Sequence, residues 1–406
     1  MVYSKAEKRT ILGEFKTLNF DAGVNPLITE LCLTYIRFCL NRGLLISLEQ
    51  IKPTPEEALQ NLCTRDNKTA EQYRKLVSSV QNLGDRHVSL VSLMLWYCFN
   101  LLNNGAKPLV ATEDLANEVG LSHRNLHYLA TTKYPCYTDF EVPKRNGGVR
   151  KISAPCYPLL KVQRWILDNI LTDVRLSPSA MAYRRAVSIV DNATPHVSAR
   201  EILKVDLEDF FPTITFPRIV GIYLDLGYLY PVAILLAKLS SHNGVLPQGA
   251  PTSPALSNIA CRKLDTRLTG LARVMRLCYT RYADDITFSG QRIPKGLVHT
   301  LERILNEEGF HLAHRKTKHF YAGQSKLVTG LVVNDKPNIP REYYRKLRAV
   351  IHNCVEYGPL SQNRNDVPHF REHLYGHAYY VFGINPQLGR KLLNQLDYVV
   401  WEVTTV

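Results

Sequence analysis

Three aspartates at the ends of short apolar segments constrain the fold more than any other feature of this chain. Residues 202–205 predict a β-strand that ends at Asp206. Further along, residues 277–282 predict a second strand that leads into Asp284 and Asp285, and a short β-branched segment follows as its return. Adjacent residues of an extended strand point to opposite faces, but two carboxylates at a turn can splay around a common point. We therefore predict the aspartate pair at the tip of a hairpin.

Three converging carboxylates would require a compensating cation. If Asp206 ends a strand beside that hairpin, the three like charges resist ionising together. Two Mg²⁺ ions would neutralise them and supply the oxygen-liganded clamp that is used in nucleotidyl transfer. The alternative for Asp284 and Asp285 is a solvated turn, because aspartate favours turns. The aspartates by themselves leave both interpretations open.

The distribution of charge favours a polyanionic partner. Residues 131–406 hold 36 of the 50 Lys+Arg and 23 of the 36 Asp+Glu, a net charge of +13, against +1 for residues 1–130. Such an excess indicates a surface that meets nucleic acid or anionic lipid, with solubility charge as the alternative. The longest apolar run, residues 88–102, is shorter than the roughly 20 residues that a bilayer requires. Nucleic acid is therefore the favoured partner and no membrane association is predicted.

Cysteine usage predicts a cytoplasmic protein. The nine cysteines are odd in number, and none forms a Cys-x-x-Cys pair. Several lie inside apolar runs, which is typical of reduced, buried thiols and argues against a disulfide scaffold or a zinc ribbon. The first 19 residues carry charges throughout, so no signal peptide is expected.

Patterns elsewhere in the chain predict four further elements. Residues 1–105 predict a mainly helical N-terminal region. Residues 112–130 predict two helices joined by a turn, either a DNA-reading unit or a plain helix pair. Residues 140–153 predict a basic β-hairpin with a type I′ turn at Asn146-Gly147, either a solvated edge or a finger that closes on phosphates. Residues 157–171 predict an amphipathic helix.

The C-terminal part of the chain predicts helices as well. Residues 340–357 and 386–401 have helical patterns, and Asn385-Pro386 is a typical start for the second. An aromatic and histidine-rich segment, residues 370–382, lies between them.

The motifs, taken in order, resemble the palm of a reverse transcriptase. Asp206 is followed by Phe-Phe, then comes Leu-Pro-Gln-Gly within residues 245–258, and then Tyr-Ala-Asp-Asp ending at Asp285. Two further elements resemble those of the bacterial retron reverse transcriptases. They are Asn192-Ala-Thr-Pro-His196 and the Val-Thr-Gly triplet Val328, Thr329 and Gly330. The resemblance covers roughly residues 110–400, including the helix pair, and leaves residues 1–105 unexplained.

The resemblance implies an α+β fold of the right-hand polymerase type. Fingers and palm would occupy residues 106–333, a helical thumb would occupy residues 334–406, and residues 1–105 would be an α-helical N-terminal extension.

The resemblance also implies roles for individual residues. Asp206, Asp284 and Asp285 would hold two Mg²⁺ ions. The residues expected to contact the incoming nucleotide are Arg150 on the predicted hairpin, the backbone amides of Asp209 and Phe210, the sugar-selecting ring of Phe211, Gln248 and, near the leaving pyrophosphate, Lys316. The corresponding alternatives are a core phenylalanine at Phe211, a plain turn residue at Gln248 and a solvated basic run around Lys316.

Primer and template would contact the end of the palm and the thumb. Tyr282 would lie against the primer end or else pack in the sheet. Four basic residues would bind the phosphates of the duplex. These residues are Arg341, Arg345, Lys346 and Arg348. The alternative is a helical bundle with exposed basic residues and no nucleic acid.

The function that the resemblance implies is RNA-directed DNA synthesis. A cognate non-coding RNA would serve as both primer and template. The 2′-hydroxyl of a guanosine in that RNA would prime synthesis from dNTPs, and the product would be branched multicopy single-stranded DNA (msDNA). A separately encoded effector and a role in anti-phage defence are implied as well. Two alternatives are a reverse transcriptase of an intron, CRISPR-linked or abortive-infection type, and a non-catalytic RNA-binding scaffold.

Overall fold

The computed structural model describes residues 101, 105–107, 109, 112–131, 136–144 and 147–401. The predicted helical extension lies outside the described residues, apart from its last few positions. The chain divides into two compact units, of which the first comprises residues 1–175 and 214–260 and the second residues 176–213 and 261–406. Each unit is described by itself.

The first unit combines helices with one two-stranded sheet. Its elements in chain order are α1 (Thr112–Val119), α2 (His123–Leu129), β1 (Tyr137–Pro143), β2 (Val149–Pro155), α3 (Tyr157–Ile166), α5 (Phe216–Asp225), α6 (Tyr230–Ser240) and α7 (Ser253–Ala260). The label α4 belongs to the second unit, which interrupts the first in sequence.

The predicted helix pair is confirmed as α1 and α2. Gly120 adopts a φ of +68° between them, a conformation that glycine reaches without steric cost. Ser122 caps α2, because its hydroxyl accepts a hydrogen bond of 3.1 Å from the Asn125 backbone N–H. Leu115 and Leu126 are fully buried, so the pair packs through its apolar face.

The predicted basic hairpin is confirmed as β1 and β2, which pair antiparallel from Tyr137↔Pro155 to Pro143↔Val149. Five residues therefore connect the strands, and the Lys144 N–H donates a hydrogen bond of 2.9 Å to the Gly148 carbonyl. Asn146 of the predicted type I′ turn lies outside the described residues. The predicted helix over residues 157–171 is confirmed as α3, which continues into a π-helical turn, Leu167–Leu171.

The second unit contains a five-stranded antiparallel sheet and most of the C-terminal helices. Its elements are α4 (Ile189–Ala193), β3 (Glu201–Glu208), α8 (Arg262–Val274), β4 (Cys278–Tyr282), β5 (Asp285–Gly290), α9 (Leu297–Glu307), β6 (His311–Leu312), β7 (Lys318–Phe320), β8 (Leu327–Val328), β9 (Leu331–Val332), α10 (Arg341–Tyr357), α11 (Phe370–Ile384) and α12 (Pro386–Leu396). Short 3₁₀ turns lie at Thr194–His196, His314–Lys316 and Pro359–Ser361.

Strand β3 is central to that sheet. It pairs with β5 along one side, and β5 in turn pairs with β4. Along its other side β3 pairs with β6 and β7. Ile202, Val205 and Leu207 of β3 are buried, and this apolar content explains why the strand forms in the interior of the unit.

The two predicted C-terminal helices are confirmed as α10 and α12. Asn385 caps α12, because its side-chain oxygen accepts a hydrogen bond of 3.2 Å from the Leu388 N–H. The second helix is shorter than predicted and ends at Leu396, where turn-type backbone hydrogen bonds replace the helical ones. Ile351, Val381 and Leu392 belong to the common apolar core of α10, α11 and α12. None of the described helices is long and apolar enough to cross a membrane.

Candidate active site

The three predicted metal-binding aspartates lie at the same end of two paired strands. Asp206 of β3 is directly opposite Asp285 of β5 in the antiparallel register. Asp284 lies in the turn between β4 and β5, and its carbonyl accepts a hydrogen bond of 3.0 Å from the Leu207 N–H. The structure thus confirms the hairpin and places Asp206 on its neighbouring strand. The second unit brings all three aspartates together.

Two lysines bind two of these carboxylates. Lys316 Nζ donates a hydrogen bond of 2.5 Å to Asp206 Oδ1, and Lys204 Nζ donates one of 2.9 Å to Asp285 Oδ2. The sequence predicted a position for Lys316 near the site but not its contact with Asp206. It missed Lys204 altogether, although Lys204 lies two residues before Asp206 on the same face of β3.

Burial changes the ionisation of the cluster. It raises the pKa of Asp284, and the neighbouring charge of Asp206 raises it further. Burial also raises the pKa of Asp206, although the hydrogen bond from Lys316 opposes that effect. The same hydrogen bond raises the pKa of Lys316. The site therefore concentrates negative charge in a partly desolvated place, where a further cation would be stabilising.

The donor set fits hard divalent cations. Carboxylate oxygens are the ligands that Mg²⁺ and Mn²⁺ prefer. Within the described part of the chain, no group of three or more ligating side chains is already arranged as a coordination cluster. One oxygen of Asp206 and one oxygen of Asp285 each bind a lysine ammonium. A metal ion that used those oxygens would replace the lysines.

The two phenylalanines after Asp206 have different environments. Asp209 begins the turn with a φ of +42°, and Phe210 is buried with its ring centroid 5.9 Å from that of Phe310. Phe211 is only partly buried, and its ring centroid lies 6.5 Å from that of Tyr183. Phe210 is therefore a core residue, whereas Phe211 presents part of its ring at the surface. Sequence reasoning missed Tyr183, which no motif marks.

The residues that carry the resemblance to retron enzymes pack around the β4–β5 hairpin and the β8–β9 pair. His196 is fully buried, with Nδ1 2.7 Å from Ser289 Oγ and Nε2 2.8 Å from Thr280 Oγ1. It thereby contacts both strands of the β4–β5 hairpin. Burial lowers the pKa of His196 to about 4, so the imidazole is neutral at physiological pH. The sequence identified His196 as a marker but did not predict its contacts.

Asn192 joins the two family elements. Its Nδ2 donates a hydrogen bond of 3.3 Å to the hydroxyl of Thr329, which has a φ of +46°. Val328 is fully buried beside it, and Gly330 follows with a φ of +81°. The Asn-Ala-Thr-Pro-His and Val-Thr-Gly elements are therefore one packed structure in the second unit.

In the first unit the structure brings two predicted nucleotide-binding elements together. The Gln248 carbonyl accepts a hydrogen bond of 2.7 Å from the Ser153 N–H of β2. Gly249 follows with a φ of +126°, and a Cβ at this position would lie 2.7 Å from the Ser153 carbonyl oxygen. Only glycine permits this approach. The Leu-Pro-Gln-Gly turn is thus attached to the strand that carries Arg150, whose side chain is exposed.

The predicted primer and template residues are exposed or half-buried in the second unit. Arg341, Arg345 and Arg348 are exposed and recur at helical spacing on one side of α10. Lys346 is exposed as well, and its ammonium lies 2.8 Å from Glu342. Tyr282, the last residue of β4, is half-buried and lies opposite Asp285.

Comparisons with known proteins identify the family to which the chain belongs. A family model described as reverse transcriptase (RNA-dependent DNA polymerase) matches residues 142–341. The chain is 38% identical over 310 residues to the retron Mx65 reverse transcriptase of Myxococcus xanthus, a match that covers 69% of this chain and 70% of that protein. It is 34% identical over 304 residues to the retron Ec86 reverse transcriptase of Escherichia coli, covering 74% and 92%. The chain belongs to the retron reverse transcriptases.

This membership confirms the resemblance that the motifs indicate. The chain is an RNA-directed DNA polymerase with the right-hand polymerase fold of that domain and a mixture of helix and sheet. Its substrates are an RNA template and nucleotides, and reverse transcriptase domains generally use divalent metal ions. A third relative, the retron Mx162 reverse transcriptase of Myxococcus xanthus, is 34% identical over 333 residues, covering 72% of this chain and 68% of that protein.

Proposed function

We propose that this reverse transcriptase copies a cognate non-coding RNA, from a 2′-hydroxyl primer on that RNA, into branched msDNA. Nucleotidyl transfer would take place at Asp206, Asp284 and Asp285. The observation that carries the proposal is the convergence of these carboxylates, with Asp206 opposite Asp285 and Asp284 in the adjoining turn. Kinship with retron enzymes supports the cognate RNA and the branched product.

The proposed division of the chain follows the same resemblance. Residues 106–333 would form fingers and palm, residues 334–406 the helical thumb, and residues 1–105 a helical extension. The packed core of α10, α11 and α12 supports the assignment of a helical thumb.

Asp206, Asp284 and Asp285 would hold two Mg²⁺ ions. When bound, the ions lower the pKa of the attacking hydroxyl and neutralise the leaving pyrophosphate. Lys316 supplies a positive charge at the same place. Its pKa is raised while it donates to Asp206, so its ammonium remains protonated and is suited to pairing with phosphate oxygens. Loss of that contact would lower the pKa again and make Lys316 a better proton donor to the pyrophosphate.

Five further groups would bind the incoming dNTP. The guanidinium of Arg150 would pair with the triphosphate, since guanidinium binds phosphate oxygens in a bidentate manner. The backbone amides of Asp209 and Phe210 would face the same phosphates, and Gln248 would line the nucleotide pocket. The partly exposed ring of Phe211 supports its assignment as the residue that excludes a 2′-hydroxyl, because a fully buried ring could not contact a sugar.

The exposed arginines of α10 would hold the template–primer duplex. Arg341, Arg345 and Arg348 share one side of the helix, and Lys346 lies beside them. Tyr282 would contact the primer end. Contacts of this kind reach phosphates, so they would be insensitive to sequence and weakened by salt.

We propose a cytoplasmic enzyme that acts in anti-phage defence with a separately encoded effector protein. This part of the proposal rests on the family resemblance and on the reduced cysteines expected from the sequence.

The nucleic acid that the protein carries tests the proposal. The full chain would be purified from cells that contain its native locus, and the bound nucleic acid would be treated with RNase and with a debranching enzyme. We expect DNA that remains joined to a short RNA after RNase treatment and is released by debranching. DNA without a branch would indicate another type of reverse transcriptase, and RNA without DNA would indicate a scaffold.

A further inference from the structure

A fully buried ion pair lies directly beneath the catalytic turn. Arg281 of β4 and Asp265 of α8 are each 0% exposed. Arg281 Nε donates a hydrogen bond of 2.8 Å to Asp265 Oδ1, and its Nη2 donates one of 2.7 Å to Asp265 Oδ2. The pair is therefore bidentate, a geometry that fixes the plane of the guanidinium. The function proposed above assigns no role to either residue.

The third nitrogen of the guanidinium reaches the turn itself. Arg281 Nη1 donates a hydrogen bond of 3.1 Å to the carbonyl oxygen of Ala283. Ala283 has a φ of +57°, in the left-handed region that is costly for a residue with a Cβ. Asp284 is the next residue. The orientation of the peptide bond between Ala283 and Asp284 therefore affects the positions of the Asp284 and Asp285 side chains.

The backbone of Arg281 is held on its other side. Its N–H donates a hydrogen bond of 2.8 Å to the Ser179 carbonyl, and its carbonyl accepts one of 2.8 Å from the Met181 N–H. The Arg281 side chain therefore links β4 to α8, and its bond to Ala283 connects the turn to both elements.

Stability alone gives no reason for an ion pair in this place. Removing two charges from water costs free energy, and well-packed apolar residues of similar volume are often at least as stable. An apolar pair could not, however, donate a hydrogen bond to Ala283. What distinguishes the ion pair from an apolar pair is thus that it directs Arg281 Nη1 towards the Ala283 carbonyl.

We propose that Arg281 and Asp265 are positioning residues, which hold the left-handed Ala283 turn so that Asp284 and Asp285 are presented together at the end of β3. This inference rests on the catalytic role proposed for those two aspartates. The guanidinium acts through the peptide between Ala283 and Asp284 and does not contact substrate.

The Arg281→Lys variant tests the proposal, because lysine retains the charge but lacks the planar fork that reaches Asp265 and Ala283 together. We expect kcat for DNA synthesis to fall about 30- to 100-fold, since small displacements of catalytic groups have effects of that size. The KM for dNTPs and the affinity for RNA should stay within about twofold of the wild type, as expected when only the reacting groups are displaced.

Metal affinity provides a readout that does not depend on turnover. Free Mn²⁺, measured by electron paramagnetic resonance, should show about tenfold weaker binding to Arg281→Lys, as is typical when a partner of a ligand is lost. Tyr279→Phe is the matched control, because the Tyr279 hydroxyl donates a hydrogen bond of 2.7 Å to the same Asp265 Oδ1 and makes no bond to the turn. We expect it to keep wild-type kcat and Mn²⁺ affinity.

A second variant keeps the test valid if Arg281→Lys fails to fold. The combination of Asp265→Leu, Tyr279→Phe and Arg281→Met replaces the buried polar cluster with apolar side chains, which should fold. We expect it to show the same loss of kcat and Mn²⁺ affinity at a wild-type melting temperature. Wild-type kcat and Mn²⁺ affinity in folded Arg281→Lys and in this triple variant would overturn the inference.

Asp284→Asn, assayed in parallel, separates the two proposals. If Asp284→Asn is inactive while the Arg281 variants behave as wild type, only the positioning role fails. If Asp284→Asn remains active, the proposed catalytic site itself is wrong.

Discussion

Two antiparallel hairpins carry predicted catalytic or substrate-binding residues, and their surroundings are opposite. The β4–β5 hairpin of the second unit is buried along most of both strands. The β1–β2 hairpin of the first unit is exposed along nearly all of β1 and over the first half of β2, where Arg150 lies. The first presents carboxylates and the second presents cations.

The roles proposed for the two groups of residues are consistent with this difference in burial. Carboxylates that share metal ions require fixed relative positions. In the β4–β5 hairpin, His196 hydrogen-bonds to both strands and Arg281 donates a hydrogen bond to the turn. Arg150 would pair with a mobile, hydrated triphosphate, for which a solvated strand is suitable. Burial of this hairpin also raises the pKa of Asp284, so the ionised form of this carboxyl is less favourable than in water.

Loss of a carboxylate should have the largest effect. We expect Asp284→Asn to lower kcat for DNA synthesis on the order of 10³-fold or more, because metal-assisted charge stabilisation contributes several kcal/mol. RNA affinity, measured by filter binding, should remain near the wild-type value, since other residues are proposed to hold the phosphates. Asp335→Asn, an exposed site elsewhere in the second unit, is the control and should leave kcat unchanged. A parallel loss of RNA binding in Asp284→Asn would show that the two functions are not separate.

His196, which packs against the buried β4–β5 hairpin, should make the stability of the protein depend on pH. The pKa of His196 is lowered to about 4, whereas an unfolded histidine titrates near pH 6.5. Between these values the unfolded chain binds the additional proton, so stability is complete above pH 6.5 and falls as the pH decreases towards 4. The loss from this group reaches about 3 kcal/mol in urea unfolding.

His196→Gln is the variant that isolates this effect. It should be less stable at pH 7 and should lose the part of the pH dependence that belongs to the histidine. An unchanged slope between pH 4 and 6.5 would contradict the assignment of a neutral, buried imidazole.

Charge removal on the exposed hairpin should affect substrate binding instead. We expect Arg150→Ala to raise the KM for dNTPs about 30-fold, the size of one charge-assisted hydrogen-bond contact, with no change in melting temperature. Lys151→Ala is the matched control, since Lys151 is adjacent on β2 and its ammonium lies 3.6 Å from Asp139. Equal effects of the two changes on KM would indicate a diffuse charge effect and no specific role for Arg150.

The smallest effect should concern sugar selection. We expect Phe211→Ala to increase ribonucleotide incorporation relative to deoxyribonucleotide about tenfold in single-turnover assays, because removal of a steric block admits the 2′-hydroxyl. Phe210→Leu is the contrasting change, since Phe210 packs on Phe310 in the core. It should lower the melting temperature and leave sugar selectivity unchanged.

The part of the site that local sequence patterns determine could be predicted. Short segments rich in apolar and β-branched residues, each ending near an aspartate, indicated β3, the β4–β5 hairpin and the position of the aspartates, and the structure agrees in each case. The basic hairpin was predicted for the same reason. Its connection was less predictable, because strand ends depend on cross-strand pairing and not on a dipeptide alone.

Side-chain partners that are distant in sequence could not be predicted. Lys316 and Asp206 are separated by 110 positions, and Lys204 and Asp285 by 81. Ion pairs at such separations leave no periodic signal, because only the tertiary structure brings the two residues together. Arg281 offered a weak hint, since a charged residue in the middle of a buried strand requires a buried partner. Nothing in the sequence identified Asp265 as that partner.

The nucleic acid that co-purifies with two forms of the protein shows whether Asp284 is required for DNA synthesis and not for RNA binding. Wild type and Asp284→Asn would be expressed with the native RNA locus, and their bound RNA and DNA would be sequenced side by side. We predict the same RNA with both proteins, and DNA complementary to that RNA only with the wild type. Complementary DNA on Asp284→Asn, or none on the wild type, would contradict the account.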